Sequence, residues 1–258
     1  MADVILVGTS SLARETLNLV RAIGTHQPIG FLDDSAERWG TLVAGLPVLG
    51  GLDAVQRAPD AALLICVTSG TTRAALAARL REQGVDDDRY AYAVHPSVEI
   101  ARNCRVQTGS MVFAGVVMTS DVTIARHVVV MPNVSFGHGN RIQSFATIGA
   151  GVSIGAGARI GDEATIGMNA SVRDRARIGR RSTLVMGSVL LRDLPPGETW
   201  MGMPAVPVFA EGPAAERSTA EKASAEKADP EKGSTEKAST ERANTVRPTF
   251  VNLEHDHV

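Results

Sequence analysis

An apolar residue recurs at every sixth position through the middle of the chain. The register holds without an insertion through seventeen positions: Val94, Ile100, Val106, Val112, Met118, Ile124, Val130, Phe136, Ile142, Ile148, Ile154, Ile160, Ile166, Val172, Ile178, Leu184 and Leu190. Small residues often lie two positions earlier, as at Ala146 and Ala158. A period of six fits neither a helix nor an ordinary strand. It predicts a β-helix, in which each hexad is a short strand and a turn with its aliphatic residue pointing inward.

The first ninety residues follow a different pattern. Short apolar runs at 4–7, 29–32 and 63–67 predict strands, while the apolar residues of 12–23 and 71–81 have helical spacing. Continuous apolar runs are typical of parallel strands that are covered on both faces. We therefore predict a small parallel βαβαβ domain over residues 1–90, with its ligand crevice beyond the carboxyl ends of the strands.

Small and acidic residues follow the first two predicted strands. The turn that begins at Gly8 and contains Ser10 and Ser11 leads into a helix, whose free amides attract anions. Asp33 and Asp34 end the second strand, where acidic residues commonly accept hydrogen bonds from a ribose or a base. The dinucleotide fingerprint G-x-G-x-x-G is missing, so a turn that only caps the helix, and a solvated acidic turn, remain alternatives.

Composition narrows the possible partners. The 258 residues carry a formal net charge of −2 and show no concentrated basic stripe, so we expect no nucleic-acid partner. The chain has two cysteines, Cys66 and Cys104, which we expect to be reduced. Its start lacks a signal-peptide pattern, and no apolar run reaches the length needed to cross a bilayer. We expect a cytoplasmic protein without a membrane partner.

Several short markers then occur in one order along residues 3–207. They are the turn Gly8-Thr9-Ser10-Ser11, the strand end Phe31-Leu32-Asp33-Asp34, the segment His95-Pro96-Ser97, His138 within the repeat, and Gly202-Met203-Pro204-Ala205 after it. With these markers the chain resembles the hexapeptide-repeat sugar acyltransferases that include sialic acid O-acetyltransferase and UDP-bacillosamine N-acetyltransferase.

This resemblance implies a fold and a function. The expected fold is an α/β N-terminal domain followed by a left-handed parallel β-helix over residues 91–210. The expected assembly is a homotrimer with active sites between neighbouring subunits. Acetyl-CoA is the implied donor, without a metal, and an amino- or hydroxy-sugar, free or linked to a nucleotide, is the implied acceptor. The N-terminal domain then holds the acceptor with a candidate set of Gly8, Ser10, Ser11, Leu12, Asp33 and Asp34.

His138 matches the catalytic histidine of these enzymes. Acyl transfer needs a base to remove the acceptor proton, and histidine suits that role near neutral pH; on the motif alone, a surface histidine is the alternative. The chain departs from the family at three places. Gly139 replaces an acidic neighbour of the histidine, Thr147 replaces a second histidine, and Ser11-Leu12 replaces a glycine-histidine pair in the first turn.

A geometric argument offers a substitute for the missing acidic neighbour. The resemblance implies three hexads per coil, so residue 121 stacks on residue 139, and residue 121 is an aspartate. A carboxylate one coil away, at a backbone spacing of about 4.8 Å, can orient an imidazole. We hypothesise that Asp121 partners His138, in the same subunit or across an interface. An exposed turn aspartate is the alternative.

The resemblance places CoA in the groove between adjacent β-helices. The matching positions are Thr147, Gly167, Met168, Met186 and Gly187, and Thr147 is then expected to donate a hydrogen bond to the thioester carbonyl. The alternative for the two glycines is a role as corner residues of the coil.

Two other functions remain open. A catalytically weakened trimer that binds or scaffolds would fit the family departures. A metal-dependent β-helix enzyme would need His95, His127 and His138 around one zinc ion.

Residues 211–258 repeat Glu-Lys pairs, interrupted by proline and glycine, and predict a disordered tail.

Overall fold

An N-terminal α/β part packs against one face of a long β-helix, and the two form a single unit. The computed structural model describes residues 1–208, so the tail predicted at 211–258 lies outside the described residues. Within residues 1–208 no helix combines the length and the apolar character needed to cross a bilayer.

The N-terminal part is a five-stranded sheet with one helix packed on each face. The strands are β1 Ala2–Val7, β2 His26–Leu32, β3 Leu42–Val43, β4 Leu46–Gly50 and β5 Ala62–Ile65, in the order β3-β4-β2-β1-β5. Helix α1 spans Ser11–Ile23 and helix α2 spans Gly70–Glu82. All pairs are parallel except the β3-β4 hairpin. The predicted α/β class is confirmed.

One connection in this sheet differs from a regular βαβαβ unit. The chain crosses from β2 to β5 through β3, β4 and a 3-10 helix at Leu52–Arg57, and the second α-helix follows β5. Gly40 and Gly45 have positive φ angles of 75° and 84°, which an α-helix does not accommodate. The segment therefore turns back as a hairpin.

The β-helix has three flat faces, which we name by what distinguishes them. The covered face, against the N-terminal part, contains β6 Ala93–Val94, β9 Met111–Val112, β12 Val129–Val130, β15 Thr147–Ile148, β18 Thr165–Ile166, β21 Thr183–Leu184, β23 Thr199–Gly202 and β24 Ala205–Pro207. The serine face contains β7 Glu99–Ile100, β10 Val117–Met118, β13 Ser135–Phe136, β16 Ser153–Ile154, β19 Ser171–Val172 and β22 Val189–Leu190. The arginine face contains β8 Arg105–Val106, β11 Thr123–Ile124, β14 Arg141–Ile142, β17 Arg159–Ile160 and β20 Arg177–Ile178.

Each coil of the β-helix uses eighteen residues. Met118 pairs with Phe136, and Ile148 pairs with Ile166, which is the predicted register. The aliphatic positions from Val112 onward form one continuous buried core. Ile100, predicted to point inward, remains 43% exposed because it lies in the first coil, where no further coil covers it. The predicted left-handed β-helix is thereby confirmed in its period and register.

A buried arginine joins the two parts of the molecule. Arg73 lies in the first turn of α2 and is fully buried. Its guanidinium donates to the hydroxyl of Thr147 and to the carbonyls of Val67, Thr68, His127, Phe145 and Ala146, at 2.7–3.0 Å. Burial lowers the pKa of Arg73 to about 10, so its side chain is still charged at neutral pH. The segment that follows β5 is therefore fixed to a corner of the β-helix.

Candidate active site

His138 lies in a tightly defined corner between the serine face and the arginine face. The corner connects β13 to β14, and the His138 side chain is 66% exposed. A Cβ at Gly137 would approach the Ala156 amide nitrogen to 2.8 Å, so the backbone before the histidine packs closely on the next coil. The buried Asn140 side chain donates to the Gly155 carbonyl at 2.7 Å. The turn is fixed on both sides of the histidine while its ring faces solvent.

The preceding coil supplies two partners for the imidazole. Nδ1 of His138 lies 2.7 Å from Oγ of Ser120 and 3.2 Å from Oδ2 of Asp121. The Gly139 amide donates to the Ser120 carbonyl at 2.9 Å, which sets the register of the two corners. Asp121 also accepts a hydrogen bond from the side-chain amide of Asn103, one further coil away. Asp121 and His138 are thus adjacent in one subunit.

Both partners of His138 approach the same ring nitrogen. A proton on Nδ1 that is donated to the Asp121 carboxylate leaves the lone pair of Nε2 available on the solvent side. This is the arrangement in which a carboxylate orients a histidine base and stabilises the imidazolium that forms. Nε2 of His138 can therefore accept a proton from a group that is bound next to it.

A separate crevice of about 200 Å³ lies at the carboxyl ends of β1 and β2. Its lining includes Gly8, Asp33, Asp34, Val67 and Thr72. Gly8 has a φ of 104°, and a Cβ there would lie 3.2 Å from the Cys66 carbonyl oxygen. Glycine is therefore required where the ends of β1 and β5 approach each other. The crevice is where the sequence predicted a ligand site.

Asp33 is held in place by its neighbours at the edge of this crevice. Its carboxylate accepts hydrogen bonds from the Thr9 hydroxyl and, at 2.9 Å, from the Ser35 amide. Arg38 donates to the Thr9 hydroxyl oxygen, and its guanidinium lies 3.9 Å from Asp33. The sequence did not predict that Thr9 and Arg38 belong to this site, although Thr9 lies between the predicted residues Gly8 and Ser10. The result is an oriented carboxylate with a cation beside it.

The other predicted acceptor residues are placed differently. Asp34 forms an ion pair with Arg79 at 2.6 Å. Ser10 donates its hydroxyl proton to the Cys66 carbonyl at 2.9 Å, and Ser11 is exposed at the start of α1. Leu12 is a correction, because its side chain is buried in the core between α1 and the covered face and does not line the crevice.

Thr147 also differs from its predicted role. It lies on the covered face, is only 4% exposed, and accepts a hydrogen bond from Arg73. Its hydroxyl proton is donated to the Thr68 carbonyl at 2.8 Å. That proton is therefore engaged within the subunit and is not available to a thioester carbonyl.

The four other predicted CoA residues form a strip on a different corner from His138. Met168 and Met186 lie one coil apart at the corner between the covered face and the serine face. The Gly187 amide donates to the Met168 carbonyl at 2.8 Å, and a Cβ at Gly167 would lie 2.3 Å from the Met186 nitrogen. The strip is apolar, with Met186 63% exposed. One subunit does not bring it to His138.

The three histidines of the metal alternative lie on three different corners. His95 is between the covered and serine faces, His127 is between the arginine and covered faces, and His138 is on the third corner. His127 stacks on Phe145 at 4.9 Å, and burial lowers its pKa to about 4, so it is neutral. Among the residues that the structure describes, no three metal-ligating side chains converge. The geometry contradicts a shared zinc site.

Solved structures with the same architecture exist, whereas no family model and no curated sequence matches the chain. A variant of perosamine N-acetyltransferase from Caulobacter crescentus, in complex with CoA and GDP-perosamine, is 23% identical, covers 81% of this chain and 98% of its own, and superposes with a TM-score of 0.75. The acetyltransferase domain of PglB from Neisseria gonorrhoeae, in complex with acetyl coenzyme A, is 24% identical over 80% and 98%, with a TM-score of 0.73. WeeI from Acinetobacter baumannii is 24% identical over 81% and 100%, with a TM-score of 0.73. The predicted resemblance is confirmed at the level of the fold.

Proposed function

We propose that this chain is an acetyl-CoA-dependent acetyltransferase that acts on an amino- or hydroxy-sugar. The observation that carries the proposal is the contact of Asp121 with Nδ1 of His138, which leaves Nε2 open to a ligand. The similar structures support the substrates, because one contains CoA and GDP-perosamine and another contains acetyl coenzyme A. They also favour an amine on a nucleotide-linked sugar as the acceptor, since the first is an N-acetyltransferase.

In the proposed reaction His138 acts as a general base. The sugar amine or hydroxyl attacks the thioester carbonyl carbon while Nε2 of His138 takes its proton. Asp121 stabilises the imidazolium that results. When the tetrahedral intermediate collapses, the C–S bond breaks, the CoA thiolate leaves, and the imidazolium returns the proton to the sulfur. The products are the acetylated sugar and free CoA.

We propose further that the active site is completed by a second copy of the chain in a homotrimer. The support is the separation of the candidate residues, because His138 and the exposed methionines Met168 and Met186 occupy two different corners of one β-helix. A cofactor that contacts both groups is most simply bound between neighbouring copies. The crevice next to Asp33 then holds the acceptor.

An acetyl-transfer assay tests the proposed function. The full-length protein is incubated with acetyl-CoA and a panel of free and nucleoside-diphosphate-linked amino and hydroxy sugars. We expect acceptor-dependent release of free thiol, matched by one added acetyl group in the mass spectrum of the sugar. If CoA binds but no acceptor raises thiol release above the background, the chain is instead a binding or scaffolding relative.

Replacing Asp121 with asparagine is expected to lower kcat by about 10- to 100-fold, a part of the rate that a general base supplies. Asparagine retains the shape and the contact with Asn103 but does not stabilise an imidazolium. The free energy of unfolding should change by no more than about 0.5 kcal/mol, because the side chain is half exposed.

Asp162→Asn is the matched control for this change. Asp162 is an exposed corner aspartate on the other side of the arginine face, and its replacement should leave kcat unchanged. Equal rates for Asp121→Asn and the wild-type protein would remove Asp121 from the mechanism.

A further inference from the structure

Four of the five strands of the arginine face carry an outward arginine at the same position. These are Arg105, Arg141, Arg159 and Arg177, and the remaining strand, β11, has Thr123 at this position. Each of these five residues is paired in register with the next one along the face. All four arginines are exposed. Because they lie eighteen or thirty-six residues apart in the chain, the sequence shows no basic stripe. In the folded β-helix the four arginines form a basic stripe.

This ladder of like charges has little compensation. Strands are spaced by about 4.8 Å, and like charges directly opposite one another on neighbouring strands destabilise a sheet. None of the four arginines forms an ion pair with another described residue. The nearby carboxylates of Asp174 and Asp193 accept hydrogen bonds from backbone amides, at 2.8 and 2.9 Å. Binding of an anion to this ladder would therefore relieve the repulsion between its arginines.

The uninterrupted part of the ladder begins beside His138. Arg141 is the first residue of the strand that leaves the His138 corner, and Arg159 and Arg177 occupy the next two coils. This run extends towards the C-terminal coils, which also contain the exposed Met168 and Met186. Arg105 is separated from the run by Thr123 and lies on the opposite side of His138 along the axis.

We propose that Arg141, Arg159 and Arg177 bind the phosphate groups of CoA when its acetyl thioester is next to His138. This inference rests on the proposed function and names the residues that recognise the donor. CoA carries its thioester at one end of an extended pantetheine arm and its pyrophosphate and 3′-phosphate at the other. Two coils span about 10 Å, to which each arginine side chain adds its own length. Guanidinium groups suit phosphate because they donate two parallel hydrogen bonds.

The experiment compares donors that carry different numbers of phosphates. Dissociation constants of CoA, 3′-dephospho-CoA and pantetheine are measured by calorimetry at one salt concentration, using the full-length protein. The variants are the double substitution Arg159→Gln/Arg177→Gln and, as a matched control, Arg105→Gln from the same face. The double variant should bind CoA about 10- to 100-fold more weakly, as expected for the loss of charge-assisted hydrogen bonds. Its affinity for pantetheine should be unchanged, and Arg105→Gln should resemble the wild-type protein throughout.

Kinetics give a second readout that a loss of structure would not reproduce. In the double variant the KM for acetyl-CoA should rise while kcat at saturation and the KM for S-acetylpantetheine remain constant. If the wild-type protein acetylates sugars but the double variant binds CoA as tightly as wild type, the inference fails and the proposed function stands. The inference also fails if retention on a heparin column is the only property that the double variant loses. That result would mean that the ladder binds a polyanion. No CoA binding by the wild-type protein would overturn the proposed function itself.

Discussion

Replacing His138 with asparagine is expected to lower kcat for acetyl transfer by about 10²- to 10⁴-fold, the range that a positioned general base contributes. The side chain is 66% exposed and has no role in the core, so the fold should persist. Asparagine keeps a polar group near Ser120 and Asp121 but has no basic nitrogen to take the acceptor proton. The measurement is kcat at saturating acetyl-CoA and acceptor.

His95→Asn provides the control for this prediction. His95 is also in a corner turn, where its Nδ1 bonds to Ser97, and asparagine can make similar turn hydrogen bonds. We expect near wild-type kcat for this variant and unchanged CoA affinity for both. A His138→Asn protein that retains more than a tenth of the wild-type rate would contradict the assignment of the base.

The β-helix could be predicted because its information is local and periodic. Each hexad specifies its own inward residue, so the positions from Val112 to Leu190 follow from a count of six. The same arithmetic, with eighteen residues per coil, placed Asp121 next to the His138 corner, and the structure gives a contact of 3.2 Å. It would also have found Ser120, which stacks on His138 eighteen residues later. Whether Asp121 acts in catalysis stays a prediction.

The residues that the sequence could not place are those defined by packing between distant segments. Leu12 and Thr147 are buried where the N-terminal part meets the covered face, and neither position is marked by local pattern. Arg38 reaches Thr9 across twenty-nine positions of the chain. Contacts of this kind are set by the tertiary structure alone.

Arg73→Met is expected to have the largest effect on stability, about 3–5 kcal/mol, which is typical when one partner of a buried polar arrangement is removed. Methionine fills similar volume but leaves the carbonyls of Val67, His127 and Phe145 without a donor. The Thr68 and Ala146 carbonyls and the Thr147 hydroxyl each lose one of their hydrogen bonds. Because these groups come from both the α/β part and the β-helix, the loss weakens the junction that fixes Val67, a crevice residue, relative to the corner at Phe145.

Urea unfolding of this variant should be compared with that of Arg79→Met, which changes the same residue type on the same helix. Arg79 is half exposed and pairs with Asp34, and surface pairs of this kind contribute about 0–1 kcal/mol. Arg73→Met should therefore have a clearly lower urea midpoint than Arg79→Met. It should also bind acceptor more weakly under conditions where it remains folded, since the crevice edge is no longer held. Equal midpoints for the two variants would show that the buried guanidinium does not join the two parts of the molecule.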